Sequence, residues 1–166
     1  MKTGEIIRVI IFSLLGAIFM FAVQPLIYKQ GLLWEPNVQN PEAALEAWAS
    51  GEYMAAATCV FAISVFSTIL WCVLAAKSKA HRPDEIKQWS LWWWILGLIP
   101  ILSIGVAIGL LNSILEVRWS LAILFVLDIL MLFWLTTATS TPGLVMYTPP
   151  LGRQMRDVLR KFGVVE

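Results

Sequence analysis

Residues Trp119–Ala138 read WSLAILFVLDILMLFWLTTA, and Asp128 is their only ionisable side chain. At a rise of about 1.5 Å per residue, roughly 20 such residues cross the hydrocarbon core of a bilayer as a helix. The stretch therefore reads as a membrane span. Three others share its character, at about 6–28, 54–76 and 89–111. The expected fold is an all-α integral membrane protein built as a four-transmembrane-helix bundle, residues 1–141, followed by a tail, residues 142–166.

Composition agrees with this reading. Of the 166 residues, 59% are hydrophobic and 14% charged, against about 45–50% and about 25% in ordinary soluble domains. One soluble core of this size cannot hide so much apolar surface, which excludes a soluble enzyme, a nucleic-acid module and a disordered scaffold. The net charge of +1 gives no bulk attraction for a polyanion, so no nucleic-acid partner is expected. Cys59 and Cys72 share one apolar stretch. On a helix they lie about 20 Å apart, beyond the reach of a disulfide. The first stretch follows Lys2 and includes Arg8. It exceeds the apolar core of a signal peptide, about 7–15 residues, and no small-x-small site follows it, so a retained span is expected.

Loop charges set the expected orientation. The connection after the second stretch carries Lys77, Lys79, Arg82 and Lys87 against Asp84 and Glu85, and the tail carries Arg153, Arg156, Arg160 and Lys161 against Asp157 and Glu166. The connection after the first has Lys29 opposed by Glu35, Glu42, Glu46 and Glu52. The positive-inside rule then places both termini and the second loop in the cytoplasm. Trp89, Trp92, Trp93 and Trp94 cluster at the cytoplasmic end of the third stretch, and Trp119 opens the fourth. Indoles favour the headgroup boundary, where the ring is apolar and the N–H needs a partner. The cluster reads as a membrane belt or as an aromatic surface for a lipid or partner helix. Loops this short, with no Asn-x-Ser/Thr in the outer one, suit a bacterial or organellar inner membrane.

In the outer loop, Asn40-Pro41-Glu42 has the form of a helix start, and Ser50-Gly51 that of a stop. Ala44, Leu45 and Trp48 share a face between them. A surface helix at about 41–50 is expected, with Trp48 inward. Gly31-Leu32-Leu33-Trp34 resembles the Gly-Leu-Trp element of claudins, which are four-span junction proteins. No cysteine pair follows it and the loop is short for a claudin extracellular sheet, so the chain is not assigned to that family. In the tail, Met155, Val158, Leu159 and Phe162 recur at helical spacing among the basic residues. That predicts an amphipathic helix at about 152–162 lying on anionic lipids, each base contributing about 1 kcal/mol near the surface, or docking onto a cytoplasmic partner.

Asp128 is the most informative residue. A carboxylate at mid-bilayer costs roughly 2.5–3.5 kcal/mol on insertion scales, and such groups face a bundle interior or a cavity. No Lys, Arg or His lies at its depth; the expected partners are hydroxyls, Ser13, Ser64, Ser67, Thr68 and Ser103. Two readings follow: an interhelical hydrogen bond that holds the bundle, or a proton or cation site. In the third stretch, Pro100 beside Gly97 predicts a hinge, and Gly105 and Gly109 form a GxxxG pair suited to close helix contact, within the bundle or between chains. Gln24 and Pro25 near the outer end of the first stretch are comparable irregularities.

Templates for catalysis are not met. His81, the single histidine, falls in a loop beside Arg82, and no Cys/His spacing suits a metal. No phosphate loop, dinucleotide fingerprint or nucleophile elbow occurs, and the four stretches do not divide into similar halves. The expectation is a non-enzyme without cofactor: a non-catalytic subunit that scaffolds or assembles a larger membrane complex. The alternative is a small homo-oligomeric channel or carrier with Asp128 in its conduction or proton pathway.

Overall fold

A computed structural model describes residues 3–78 and 83–161. Lys2, Lys79, His81, Arg82, Phe162 and Glu166, which entered the arguments above, lie outside the described residues, as do the side chains of Asp84, Glu85, Lys87 and Leu159. The described chain is all-α, with no strand among the described residues. Four helices are long and apolar enough to cross a membrane: Thr3–Lys29, Pro41–Lys77, Gln88–Leu110 within a helix Pro83–Leu110, and Arg118–Ser140. They are called the first to fourth spans here. A tail helix, Gly152–Lys161, follows a 3-10 turn at Gly143–Tyr147.

The fourth span packs against all three others, and the second packs against the first and the third. The distribution of side chains is that of a lipid-facing bundle. Ile6, Ile10, Leu14 and Ile18 on the first span are exposed, as are Leu91, Leu98 and Leu102 on the third, while Gln24, Ser64, Ser67, Ser103, Asp128 and Thr137 are buried. An apolar exterior around polar interior groups suits a hydrocarbon surrounding, where backbone and side-chain polar atoms must be satisfied inside the protein.

Local chemistry fixes the helix ends. The Asn40 side chain accepts from the Ala43 amide at 3.3 Å, and Pro41 fills the first helical position. The first span stops at Gly31, whose φ of 70° an L side chain adopts only with strain. Leu32 N–H then donates to Ile27 O and Gly31 N–H to Tyr28 O, which satisfies the last carbonyls in a Schellman arrangement.

The outer-loop segment departs from expectation. Its helix does not stop at Ser50-Gly51 but runs through a π-helical turn at Ala49–Tyr53 into the second span. Gly51 is not in the left-handed conformation a glycine stop requires, and Ser50 donates its hydroxyl back to Glu46 O at 2.8 Å. Trp48 is buried as the periodicity predicted. Two further π-helical turns interrupt the spans, at Phe19–Val23 and Leu130–Leu135. The third span, where Pro100 beside Gly97 predicted a hinge, is one α-helix from Pro83 to Leu110 with Pro100 inside it.

The glycines divide differently from their sequence pattern. Gly105 and Gly109 face outward, and a Cβ on either meets nothing within 4 Å, so this GxxxG pair makes no contact within the bundle. The close approaches are elsewhere: Gly16 lies against Leu132, and a Cβ on Gly97 falls 2.8 Å from the Phe133 ring. Overpacking of this kind costs about 1–3 kcal/mol. Gly97→Leu is therefore expected to destabilise the isolated chain by that amount in a detergent-phase unfolding titration, while Gly105→Leu stays within about 0.5 kcal/mol of the parent.

Candidate functional site

The polar centre of the bundle begins with a missing proton donor. In the π-helical turn before Pro25, the Gln24 amide N–H bonds Phe19 O, five residues back. In that register the next donor, for Met20 O, would be residue 25, and proline has no N–H. The Met20 carbonyl is left to find a partner from another helix. It finds Tyr53, whose hydroxyl oxygen lies 2.6 Å from Met20 O and 2.7 Å from Gln24 Oε1. Gln24 Nε2 in turn donates to Asp128 Oδ2 at 2.8 Å. One chain of contacts thus joins the first, second and fourth spans.

The chain is sealed. Met20, Gln24, Tyr53 and Asp128 have no exposed surface. Aromatic rings close it toward the 30–40 segment: Tyr53 stands 6.3 Å from Phe125, 5.5 Å from Trp48 and 6.0 Å from Tyr28, centroid to centroid. Tyr28 meets Ser120 at 2.9 Å, and Trp48 donates its indole N–H to Asn112 Oδ1 at 2.9 Å. Asp128 Oδ1 has no hydrogen-bond partner.

The hydroxyls expected around Asp128 are not its partners. Ser64 donates to Val60 O and Ser103 to Pro100 O, both within their own helices, and Thr68 donates to Leu132 O across to the fourth span. Ser67 is buried without a partner. For Ser64 and Ser103 a carbonyl of the preceding turn lies within reach, so their protons are taken before a distant acid can claim them. Gln24 has a longer side chain and two amide protons, and it is the only Asn or Gln within the four stretches first read as spans. That shortage of amide donors was the available signal for the pairing.

At the other end, the tryptophan cluster splits. Trp93 is buried against Phe133 and donates to Thr137 Oγ1 at 3.0 Å, and Trp89 packs edge-on to Trp71. Trp92 and Trp94 are exposed, as a belt requires. Trp71 donates to Thr141 Oγ1 at 2.8 Å. The hydroxyl run Thr136–Thr141 is thus where buried indoles find acceptors.

The basic tail splits as well. Arg153, Arg160 and Lys161 are exposed. Arg156 instead turns onto the end of the fourth span, bonding Ala138 O at 3.3 Å, Met146 Sδ at 3.3 Å and Thr141 O. It corrects the expectation of a lipid-facing side chain, because the last carbonyls of a helix lack donors and attract a cation. Burial lowers its pKa from the ordinary value, Arg8 acts in the same direction, and Glu5 and Tyr147 oppose. Among the described residues no group of three or more His, Cys, Asp or Glu is placed to hold a metal ion.

These features define a membrane-embedded four-helix bundle with a buried polar core. No protein-family model, curated protein or solved structure matches the chain.

Leaving a buried partner unsatisfied costs about 1–3 kcal/mol. Tyr53→Phe, which removes the one donor to Met20 O among the described residues, is expected to lower unfolding stability by that amount, while Trp119→Phe at an exposed site changes it by less than about 0.5 kcal/mol. Arg156→Ala is expected to loosen the tail helix and Arg160→Ala to leave it in place, read by limited proteolysis of the tail in lipid nanodiscs.

Proposed function

We propose that this protein is a non-catalytic integral membrane subunit that scaffolds or assembles a larger membrane complex. The observation that carries this reading is the closure of the polar core: Gln24, Tyr53 and Asp128 contact protein groups and have no exposed surface. A carboxyl sealed by aromatic packing suits a structural bond between helices more than a site that exchanges substrate. The outward face of the third span supports the same reading. Trp94, Leu98, Leu102, Gly105 and Gly109 are exposed there, and a neighbouring helix could approach closely along the two glycines. On this reading the exposed Arg153, Arg160 and Lys161 lie on anionic headgroups of a bacterial or organellar inner membrane, with both termini cytoplasmic.

A homo-oligomeric channel or carrier is the second reading, favoured by the unpaired Asp128 Oδ1. It requires a state in which the aromatic lid over Tyr53 opens.

The mass and composition of the intact particle, extracted in a lipid-preserving system, separates the two. Other polypeptides at fixed stoichiometry are expected. A closed ring of this chain alone would overturn the subunit reading in favour of the channel, and a bare monomer would count against both.

A further inference from the structure

The contacts between Met20, Tyr53, Gln24 and Asp128 can be counted in protons. A phenol hydroxyl has one proton, yet the Tyr53 oxygen lies at hydrogen-bond distance from two groups, Met20 O at 2.6 Å and Gln24 Oε1 at 2.7 Å. Both are carbonyl oxygens, which only accept. With the Gln24 nitrogen toward Asp128, the Tyr53 proton serves one of them and the other approach is lone pair against lone pair.

A half-turn of the Gln24 amide exchanges its oxygen and nitrogen without moving their positions. The nitrogen then donates to the Tyr53 oxygen, and Tyr53 is free to give its proton to Met20 O. The Gln24 oxygen now faces Asp128 Oδ2 across 2.8 Å. That contact needs one proton, and its only source is the carboxyl. We propose that Asp128 is a proton-binding site: the neutral acid donates from Oδ2 to Gln24, Gln24 donates to Tyr53, and Tyr53 donates to Met20 O, so that a bound proton ties the first, second and fourth spans together.

A separate observation points the same way. Asp128 Oδ1 is buried and has no partner. In a carboxylate that oxygen holds half of a unit charge with no donor from the protein among the described residues; in the acid it is an uncharged carbonyl oxygen, far less costly to bury. The surroundings supply no compensating cation. The first span turns Tyr28 toward this region, and Tyr28 meets Ser120; the second contributes Tyr53; the third has no titratable side chain between Gln88 and Leu110; the fourth has none but Asp128 between Trp119 and Ser140. Lys29, the nearest base in sequence to Gln24, is paired with Glu46.

Loss of the proton has a defined consequence. The carboxylate can only accept, so Gln24 turns its nitrogen to Asp128 and its oxygen to Tyr53. The Tyr53 proton moves to Gln24, and Met20 O, which Pro25 already deprives of a backbone donor, is left with none. The step is one proton released to solvent and one amide half-turn, with no change of oxidation state. It weakens the attachment of the second span to the first. The proposal holds whether the bundle serves a complex or a pathway.

The test is infrared difference spectroscopy on the full chain in lipid nanodiscs at neutral pH. Wild type is expected to show the carbonyl stretch of a protonated carboxylic acid, moved by deuterium exchange and absent from Asp128→Asn. Isotope-labelled aspartate assigns the band in the wild-type protein should that variant fail to fold. Gln24→Leu is expected to shift the band, because the acid loses the acceptor for its proton. A difference spectrum containing only carboxylate stretches would overturn the proposal, and so would an acid band that Gln24→Leu leaves in place.

Discussion

The hydrogen bond between Gln24 and Asp128, 2.8 Å long and without exposed surface, is the contact on which the rest of the bundle depends. In hydrocarbon a polar group has no water to fall back on, so each must meet another within the protein. Asp128 brings a carboxyl to the middle of the fourth span and Pro25 withholds a donor from Met20. Each defect alone would be a liability. Placed opposite one another, with Tyr53 and Gln24 between them, they become a set of contacts that ties three spans together. The π-helical turns at Phe19–Val23 and Leu130–Leu135 lie beside Gln24 and Asp128, and that at Ala49–Tyr53 ends on Tyr53. An extra residue per turn rotates the following side chains, and here such turns adjoin each member of the network.

The two ends of the bundle are joined by the same physics in weaker form. Toward the 30–40 segment, Trp34 donates to Glu116 at 2.9 Å, Trp48 to Asn112, and the Ser113 amide and hydroxyl both donate to Glu52 at 2.7 Å. Toward the tail, Trp71 and Trp93 donate to threonines, Trp134 donates to Pro150 O at 2.9 Å, and Arg156 covers the final carbonyls of the fourth span. Close packing at Gly16 and Gly97 brings the first and third spans onto the fourth. The third span's outward face is left without a protein partner among the described residues.

Much of this architecture was legible in the sequence. The four spans were, because length and apolarity alone decide them; so was the inward side of the 41–48 helix, because Leu45 and Trp48 share a face. Asp128 stood out as a buried acid. Its partner did not, because Gln24 lies near the end of its own stretch and Asp128 in the middle of another, and a one-dimensional depth scale sets them apart. The packing register, with Gly16 against Leu132, brings them level. The Gly105/Gly109 pair was open to a contact within the bundle or between chains, because a motif records that two small residues share a face, not which neighbour that face meets; in the bundle it faces outward. Arg156 was grouped with its basic neighbours on charge alone, and only the geometry of the helix end shows it turned inward. The π-helical turns have no sequence signature beyond Pro25.

If the Gln24–Asp128 bond organises the bundle, the amide and the carboxyl are energetically coupled across two helices, and a double-mutant cycle measures that directly. Unfolding free energies of the parent, Gln24→Leu, Asp128→Leu and the double variant in one detergent or nanodisc system give the interaction term. Contacting residues in one network couple by about 0.5–3 kcal/mol, and a value in that range, with the double variant less damaged than the sum of the singles, is expected. Strict additivity, within about 0.3–0.5 kcal/mol, would contradict the claim that this bond organises the bundle.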